Sequence, residues 1–371
     1  MKIAFFICDS GNGHATRFLA IFEQLIKLNK IEKIYLFCGS NYDFIKNEID
    51  KINKNNIKIK YYKKETIFSW FPDINGCPSV EKIKSHYNSN FFKKINSLVE
   101  EESNLIRDVD LVINDGIPYA NLIAKKINVK SFSIFHFQWS WFLNKCYFSL
   151  VNQDVLKGIK KLEELSDYNF CSIFTPSEIK NNLKNIKIIN PIIRDDVTQI
   201  KKSPDKNNIF TITIIDSGAN HSSKKISSII ENPYFLEIRK KENLILNVFS
   251  AIDYESNNLH KVKFYKNCLR ENYLQILNDS HLIIARPGFN LLTELIYLNK
   301  SALFFCENGN PEMVDIIYQL AKKGINNVLP EEPKEQFNMI YKLVKGESKQ
   351  VMINKLALKF NGAFEIVKAI F

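Results

Sequence analysis

The sequence lacks the features that mark secreted, membrane-spanning and metal-binding proteins. No apolar run approaches the roughly 20 residues that cross a bilayer. The N-terminal stretch MKIAFFICDSGNGH has one lysine and a short apolar segment, without the longer stretch and cleavage site of a secretory signal. The seven cysteines are scattered and contain no CxxC pair, which argues against a disulfide framework or a zinc site. We therefore expect a cytoplasmic protein whose thiols stay reduced.

The chain has little negative charge relative to positive charge, and its formal net charge is +11. Such a balance suits nucleic acid, an anionic membrane surface or an anionic substrate as partner. Much of the excess is lysine mixed with asparagine and isoleucine, which also fits an ordinary solvated surface. No aromatic RNA-binding signature, helix-turn-helix or zinc finger accompanies the charge. We expect no nucleic-acid partner, and an anionic membrane surface stays open as a partner.

The length of 371 residues, with 45% hydrophobic and 25% charged residues, suits two globular domains. Runs rich in β-branched and aromatic residues predict buried parallel strands in the first half, at 2–8, 33–39, 57–62, 109–115 and 130–135. Apolar residues at helical spacing follow the first strand in ATRFLAIFEQLIKL. Strand, glycine turn, helix and strand form a right-handed βαβ unit, which builds a doubly wound sheet.

The same pattern restarts in the second half, after a segment rich in proline, lysine and aspartate at 188–208. Further strands are predicted at 209–216, 243–250, 261–265, 281–287 and 301–306. We therefore predict an α/β chain of two Rossmann-like domains, residues 1–195 and 196–371. The tail, residues 334–371, is predicted to be helical, and its last helix is expected to pack back on the first domain.

A glycine-rich loop, GNGHATR at residues 11–17, follows the first predicted strand. Its glycines, Gly11 and Gly13, allow a tight turn and close approach to a ligand. The helix that follows would offer free N–H groups and a partial positive charge. An alanine and a threonine occupy the stretch where a dinucleotide motif has its third glycine. His14 lies at the carboxyl edge of the predicted sheet, where ligands bind in such folds, and we predict that it is functional.

This loop resembles the N-terminal GxGHATR signature of a family of bacterial and archaeal glycosyltransferases. It is also similar to the GxGHxxR loop of the UDP-sugar hydrolase of pseudaminic acid synthesis. The lipid-II-forming N-acetylglucosaminyltransferase carries a related loop. The resemblance implies the GT-B fold, in which two Rossmann-like domains face a central cleft. It further implies that the N-terminal domain binds the acceptor and the C-terminal domain binds a nucleotide sugar.

The second motif is Asn114-Asp115-Gly116, at the end of a predicted strand. Its separation of about one hundred residues from His14 resembles the His–Asp pair of inverting plant-type glycosyltransferases. There the aspartate orients and charges the histidine that deprotonates the acceptor hydroxyl. A nearby carboxylate raises the basicity of an imidazole and fixes its tautomer. Asp9 is the other candidate partner, and Asp115 as the cap of a turn is the alternative.

The most specific motif, residues 285–303, resembles the donor-binding signature of the same glycosyltransferases. In that resemblance Gly288 lets the chain turn against a diphosphate, and the helix from Asn290 points its N-terminus at the phosphates. Glu294, expected to face the cleft surface, accepts hydrogen bonds from two ribose hydroxyls. Arg286 adds positive charge or braces the loop. The donor-binding residues implied here, with one from the first loop, are Gly13, Arg286, Gly288, Asn290, Thr293 and Glu294.

Three weaker matches complete the donor site that the resemblance implies. Ser217 and Gly218 match a glycine turn that closes on the donor phosphates from the other side. Phe264 falls where the nucleobase pocket is lined. Glu312 matches a glutamate that holds the donor sugar, although Met313 replaces the usual glutamine. The alternative for Glu312 is capping of a helix N-terminus.

An aromatic cluster, residues 136–142, follows the strand at 130–135 on the expected acceptor side. We assign His136, Trp139 and Trp141 to that side. The tryptophans could stack on sugar faces or enter a membrane interface. A wall of the cleft or core is the third reading, and all three stay open.

These motifs together predict an inverting, metal-independent glycosyltransferase with His14 as general base and Asp115 as its partner. The substrate is expected to be a nucleotide-diphosphate sugar, most readily a UDP-sugar, with no cofactor. The acceptor would be a carbohydrate or lipid-linked hydroxyl in bacterial glycan or glycolipid synthesis, reached in the cytoplasm or on the inner membrane face. A nucleotide-sugar hydrolase on the same fold is the first rival. A non-catalytic sugar- or lipid-binding protein is the second.

Overall fold

The computed structural model describes residues 1–71, 79–147, 150–201, 209–215, 226–241, 243–250, 261–266, 268–306, 309–347, 356 and 358–371. The chain divides into two compact units between Asp195 and Asp196. The described residues up to Asp195, together with Leu358–Phe371, form unit 1. Those from Asp196 to 356 form unit 2.

Unit 1 is built on a seven-stranded parallel sheet, with strand order β3-β2-β1-β4-β5-β6-β7. The strands are β1 (Lys2–Ile7), β2 (Lys33–Cys38), β3 (Lys58–Lys63), β4 (Leu111–Asp115), β5 (Lys130–Phe135), β6 (Tyr168–Ser172) and β7 (Ile186–Ile189). The helices along this part of the chain are Asn12–Ile26, Tyr42–Ile52, Val80–His86, Phe91–Leu105, Tyr119–Lys126, Trp139–Tyr147, Gln153–Glu164, Ser177–Asn182 and Asp195–Thr198.

Strand β1 lies inside the sheet, and its side chains contribute to two separate cores, one on each face of the sheet. Phe5 and Ile7 pack in one core, and Phe6 and Cys8 pack in the other. Successive side chains of a strand point to opposite faces, so a strand covered on both sides needs an uninterrupted apolar run. This is why residues 3–8 form an uninterrupted run of buried apolar side chains.

Unit 2 is built on a five-stranded parallel sheet with strand order β10-β9-β8-β11-β12. Its strands are β8 (Phe210–Ile215), β9 (Leu244–Phe249), β10 (Val262–Tyr265), β11 (Leu282–Ala285) and β12 (Ala302–Phe304). Its helices include Pro233–Lys241, Arg270–Asp279, Phe289–Tyr297, Pro311–Lys322 and Pro333–Val344, and residues 226–230 are also helical. None of the helices in the described ranges is long and apolar enough to cross a membrane.

All ten strands predicted from the sequence are present, and the predicted class of two Rossmann-like α/β units is confirmed. Two strands of unit 1 were not predicted. β6 carries buried polar residues, among them Asn169, which weaken its apolar pattern. β7 has four residues and exposes 54% of Ile188.

A helical tail from 334 onward is only partly correct. The chain leaves the helix Pro333–Val344 at Gly346, which has a φ of 70°, and residues 345–347 and 358–361 are not helical. A positive φ interrupts a right-handed helix, and glycine adopts it at little cost. The final helix is Gly362–Ile370.

This final helix packs on unit 1. The side-chain amide of Asn190 donates to Oε1 of Glu365 at 2.8 Å, and its backbone N–H donates to Oε2 at 3.1 Å. A Cβ atom at Gly362 would lie 2.0 Å from the carbonyl oxygen of Asn190, so no larger residue fits without a backbone shift. The end of the chain is thereby attached next to β7.

A buried network of charged side chains lies at the end of unit 1, where the chain continues into unit 2 after Asp195. Nε of Arg194 donates to Oε1 of Glu23 at 3.2 Å, and Nη1 donates to Oε2 of Glu48 at 2.7 Å. All three side chains are nearly inaccessible to solvent. The guanidinium therefore joins the segment after β7 to the first two helices of the chain.

The buried carboxyl of Glu102 should make the free energy of unfolding decrease as the pH rises from 4.5 to about 7. It is fully buried beside Tyr119, and burial raises the pKa of its carboxyl from 4.5 to about 7. The folded protein thus holds this proton more tightly than the unfolded chain, so this group contributes less stability as the pH rises through that range. One pKa unit corresponds to about 1.4 kcal/mol. We expect Glu102→Gln to exceed the wild type in unfolding free energy by up to about 3 kcal/mol near pH 8.5, and to match it near pH 4.5.

Urea unfolding of both proteins at the two pH values measures this difference. Glu101→Gln is the matched control, because Glu101 lies on the same helix and is exposed. The control should show no gain at the higher pH. Parallel pH profiles for Glu102→Gln and the wild type would mean that Glu102 ionises normally in the fold.

Candidate active site

The first helix of unit 1 brings His14 and Arg17 to the carboxyl edge of the sheet. The chain leaves β1, turns at Gly11 with a φ of 86°, and begins the helix Asn12–Ile26. Glycine adopts this φ without strain. Gly13 therefore lies in the first helical turn. His14 and Arg17 are three positions apart and share one helix face. They are 7% and 3% exposed.

Asp115 is the last residue of β4, which pairs with β1 so that Ile7 and Asp115 are in register. Its carboxylate is fully buried. Oδ1 of Asp115 lies 2.6 Å from Nδ1 of His14. The structure therefore brings together the two residues for which the sequence predicts a catalytic pair.

Asp9, the other candidate partner of His14, points elsewhere. Its Oδ2 accepts hydrogen bonds from the backbone N–H groups of Ser40 at 3.3 Å and Thr66 at 3.4 Å. A Cβ atom at Gly39 would lie only 1.9 Å from that oxygen. The alternative assignment of Asp9 is wrong, because its carboxylate braces the loop that follows β2.

Arg17 binds both oxygens of Asp115 through the Nε–Nη2 edge of its guanidinium. Nε donates to Oδ2 at 2.8 Å, and Nη2 donates to Oδ1 at 2.6 Å. Burial disfavours the charge on Asp115, but the guanidinium and the His14 imidazole hold the pKa of this carboxyl well below its usual range. Sequence reasoning assigned no role to Arg17. The signal that could have found it is its position one helical turn after His14.

The ionised state of Asp115 fixes the tautomer of His14. A carboxylate only accepts hydrogen bonds, so the contact at 2.6 Å requires a proton on Nδ1 of His14. Nη2 of Arg17 lies 2.9 Å from the same nitrogen and is satisfied by Asp115. The neutral imidazole then carries its lone pair on Nε2. This nitrogen is able to take a proton from a bound hydroxyl group.

His136, which follows β5, joins the same network. Nη1 of Arg17 lies 3.0 Å from Nδ1 of His136. A guanidinium only donates, so Nδ1 of His136 accepts, and the neutral ring has its proton on Nε2. The centroids of the two imidazole rings are 6.0 Å apart. The site thus combines an accepting Nε2 on His14 with a donating Nε2 on His136.

Gly116 packs directly against the His14 ring. It has a φ of 76°, and a Cβ atom there would lie 3.0 Å from Cε1 of His14 and 3.1 Å from Cβ of Cys8. The indole Nε1 of Trp139 donates to the carbonyl oxygen of Gly116 at 2.9 Å. Trp139 therefore holds the loop that supports the imidazole.

Of the two tryptophans predicted on the acceptor side, Trp139 is a core residue, and the assignment of Trp141 stays a prediction. Trp139 is only 3% exposed and stacks on Phe68, with ring centroids 5.7 Å apart. It cannot enter a membrane interface, since its indole belongs to the core of unit 1. Trp141 is half-buried, and its Nε1 donates to Oε2 of Glu178 at 2.9 Å. For Trp139 the structure supports the core wall among the three readings.

In unit 2, Glu294 lies within the helix Phe289–Tyr297 and is bound by Arg270. Nη2 of Arg270 donates to Oε1 of Glu294 at 2.5 Å, and its Nε donates to Oδ2 of Asp196 at 3.2 Å. Burial opposes the charge of Arg270, but the two carboxylates hold its pKa above its usual range. Glu294 is 6% exposed. The expectation of a surface-facing carboxylate is therefore wrong, because the ion pair draws it into the unit.

Gly288 precedes the same helix in an ordinary backbone conformation. Its φ is −66° and its ψ is 135°, values that any residue adopts. The prediction that this turn requires a glycine is therefore wrong. Among the residues that the structure describes, no heavy atom other than those of its chain neighbours lies within 4 Å of where a Cβ atom at Gly288 would be.

The remaining predicted donor residues are dispersed along the carboxyl ends of the strands of unit 2. Arg286 and Asn290 flank Gly288 and are half-buried. Thr293 is buried, and its hydroxyl donates to the backbone oxygen of Phe289 at 2.8 Å.

Phe264 lies in β10, partly buried against the core of unit 2. Glu312 lies in the first turn of the helix Pro311–Lys322, which is capped by the side chain of Asn310 rather than by Glu312. Ser217 and Gly218 lie outside the described residues. Within the described ranges, no group of three or more His, Cys, Asp or Glu side chains is arranged to hold a metal ion.

Solved structures share this architecture over the whole chain. The calicheamicin glycosyltransferase CalG4 matches with a TM-score of 0.66 and 11% identity, over 100% of this chain and 97% of that one. Arabidopsis thaliana UGT89C1 complexed with quercetin matches with a TM-score of 0.67 and 10% identity, over 100% and 98%. The UDP-GlcNAc 2-epimerase from Neisseria meningitidis bound to UDP-GlcNAc matches with a TM-score of 0.60 and 15% identity, over 100% and 99%.

No protein-family model matches the sequence, and no curated protein matches it. At identities this low, the structural likeness defines the fold alone. The fold is GT-B, as the resemblance in the glycine-rich loops implied. A glycosyltransferase and an epimerase both have it, so the reaction must be argued from the side chains of the site.

Because Arg17 and Asp115 are paired, we expect substitutions of these two residues to have non-additive effects on the free energy of unfolding. Arg17→Met should destabilise unit 1 by about 3–5 kcal/mol, because it leaves a fully buried carboxylate without its cation. Asp115→Asn added to that variant removes the stranded charge and should restore part of the loss. Urea unfolding of the wild type, both single variants and the double variant measures the coupling.

Arg107→Met is the control, since Arg107 is exposed and bonds only to Asn104 among the described side chains. It should change the unfolding free energy little. Equal stability of Arg17→Met and Arg107→Met would show that the ion pair does not hold the site.

Proposed function

We propose that this protein is a glycosyltransferase that moves a sugar from a nucleotide-diphosphate donor, UDP-linked, to a hydroxyl acceptor. The observation that carries the proposal is the buried His14–Asp115 pair, whose hydrogen bond leaves a lone pair on Nε2 of His14. A base held in this way at the carboxyl end of β1 suits removal of a proton from an acceptor hydroxyl. The GT-B fold is consistent with this chemistry.

In the proposed reaction Nε2 of His14 takes the acceptor proton while the acceptor oxygen attacks the anomeric carbon of the donor sugar. The bond from that carbon to the diphosphate oxygen breaks, and the nucleoside diphosphate leaves with the electron pair. A single displacement inverts the anomeric configuration. Asp115 positions the imidazole and stabilises the imidazolium that forms. Arg17 keeps Asp115 ionised and oriented throughout.

The donor is proposed to bind unit 2 at the N-terminus of the helix Phe289–Tyr297. The first N–H groups of a helix bind phosphate oxygens, and the helix dipole favours their charge. Gly288 supports this assignment, because its backbone conformation does not need glycine and no atom of the described residues other than its chain neighbours would contact a Cβ there. A missing side chain at this point allows a diphosphate to approach the backbone. Arg286 adds positive charge nearby, so the proposal requires no metal.

Glu294 is proposed to accept hydrogen bonds from the ribose hydroxyls of the donor. Arg270 anchors its Oε1 and so fixes the plane of the carboxylate. An ionised carboxylate has acceptor capacity for several hydrogen bonds at once. The ion pair with Arg270 is therefore compatible with ribose binding and makes Glu294 a rigid part of the site.

The acceptor is proposed to be a carbohydrate or a lipid-linked glycan made on the cytoplasmic side of a bacterial membrane. The net charge of +11 would favour an anionic lipid surface. Trp139 contributes nothing to such binding, because its indole is buried. Hydrolysis of the nucleotide sugar is the competing reaction, since the same base could activate water.

His14→Ala tests the mechanism. Loss of a general base should lower the turnover number about 10²–10⁴-fold. Affinity for UDP should change less than about twofold, because the proposed phosphate contacts lie in unit 2. Asp115→Asn should give a smaller loss, and the double variant should be no worse than His14→Ala, as for residues that act together. UDP release from UDP-sugars, with and without sugar acceptors, measures turnover, and calorimetric titration measures UDP binding.

Two results would contradict the assignment of His14. One is turnover near that of the wild type, and the other is a loss of activity matched by an equal loss of UDP affinity. UDP release that does not depend on any acceptor would favour the hydrolase instead of the transferase.

Glu294→Gln tests the donor site. The neutral amide accepts weaker hydrogen bonds than a carboxylate, so UDP affinity should fall about tenfold or more. Glu271→Gln is the control, since Glu271 is an exposed acid of unit 2. Melting temperatures should confirm that both variants are folded. Unchanged UDP affinity in folded Glu294→Gln would leave Glu294 only its structural role as partner of Arg270.

A further inference from the structure

Arg270 divides one edge of its guanidinium between two carboxylates of unit 2. Nε donates to Oδ2 of Asp196 at 3.2 Å, and Nη2 donates to Oε1 of Glu294 at 2.5 Å. In arginine these two N–H groups lie side by side and match the two oxygens of a single carboxylate. Arg17 uses the same edge in that way, since both groups bind Asp115. At Arg270 each carboxylate receives one N–H of this edge instead of two.

The face of the Arg270 guanidinium is supported independently of these acids. Its Cζ lies 5.5 Å from the centroid of the Tyr273 ring, one turn further along the same helix. Phe249 packs against that ring, with the two ring centroids 5.1 Å apart. A cation at this distance over an aromatic face is attracted by the negative charge of the ring face. The guanidinium would therefore stay beside Glu294 if Asp196 were replaced.

The three charged side chains are largely shielded from solvent. Asp196 exposes 24% of its side chain, Arg270 exposes 20%, and Glu294 exposes 8%. A shielded N–H group that loses its acceptor is unfavourable. Without Asp196, the Nε–H group of Arg270 would gain most by turning to the second oxygen of Glu294, because the fork matches one carboxylate. Glu294 would then be chelated by both N–H groups, as Asp115 is by Arg17.

We propose that Asp196 is a positioning residue of the donor site, which prevents Arg270 from chelating both oxygens of Glu294. This role rests on the proposed function, in which Glu294 accepts hydrogen bonds from the ribose hydroxyls of the donor. Two hydroxyl donors need acceptor capacity on the carboxylate, and a chelating guanidinium takes up the lone pairs that face it. Asp196 thereby sets the preference of the site for a nucleotide that carries ribose hydroxyls.

Calorimetric titration of the full chain with UDP and with 2′,3′-dideoxy-UDP tests this role. The second nucleotide has the same base and phosphates but no ribose hydroxyls for Glu294. The wild type should prefer UDP. Asp196→Ala should lower the affinity for UDP about tenfold, as for loss of a hydrogen bond to a charged group, and that for the dideoxy nucleotide less than about twofold. Asp196→Asn keeps an acceptor for Nε of Arg270, so its effect should be smaller.

The Arg270→Lys background gives a second readout. Lysine keeps the positive charge but has no fork, so it does not chelate a carboxylate. In this background Asp196→Ala should change the affinity for UDP much less than it does in the wild type. A general loosening of the site by Asp196→Ala would instead lower the affinity in both backgrounds.

Asp279→Asn is the matched control for Asp196→Asn, since Asp279 is an exposed aspartate at the other end of the Arg270 helix. It should bind both nucleotides like the wild type. Melting temperatures without nucleotide show which variants are folded. Asp196→Asn preserves the shape of the side chain, so it carries the test if Asp196→Ala does not fold.

The outcomes separate this role of Asp196 from the proposed function. Equal losses of affinity for the two nucleotides in the folded Asp196 variants would make Asp196 a structural residue and overturn the proposal. Unchanged affinity for UDP would overturn it as well, and both results leave the donor site in place. A wild type that does not bind UDP, or that binds both nucleotides equally, would remove the ribose role of Glu294 and the role of Asp196 together.

Discussion

The buried pairing of Arg17 with Asp115 is the interaction on which the candidate site depends. It joins the first helix to the end of β4, which are distant in sequence and adjacent only because β1 and β4 pair in the sheet. The same guanidinium contacts His14 and His136. This cation therefore holds the carboxylate ionised and fixes the protonated nitrogen of His136, and the carboxylate in turn fixes that of His14.

Two further arginines hold carboxylates in a defined orientation. Arg194 joins two helices of unit 1 through two glutamates, and Arg270 binds two acids in unit 2, one of them Glu294. Burying one charge alone is very unfavourable, whereas the planar fork of arginine satisfies a carboxylate at both oxygens. Arg17 and Arg270 thus serve the two halves of the proposed reaction in the same way. Each holds in place a carboxylate to which the proposed reaction assigns a role.

The fold was largely predictable because its strands are covered on both faces. A strand such as β1 must then be apolar at every buried position, and this signal is strong in a single sequence. β6 was not predicted because Asn169 and Ser172 are buried polar residues, which weaken its apolar pattern. β7 escaped because it is short and half-exposed. In both strands the residue type does not indicate burial, since β6 buries polar side chains and β7 exposes an isoleucine.

The sequence by itself determined the class of fold, the position of the glycine-rich loop and the choice of His14 and Asp115 as candidates. These features are local, or they follow from the rule that parallel strands present their carboxyl ends at one edge. Only the tertiary structure decided that Asp115 rather than Asp9 meets His14, that Arg17 links them, and that Glu294 is held by Arg270. Trp139 and Asn169 likewise acquired their places only through packing. Partners of a buried charge are chosen by distance in space, and local sequence patterns do not record that distance.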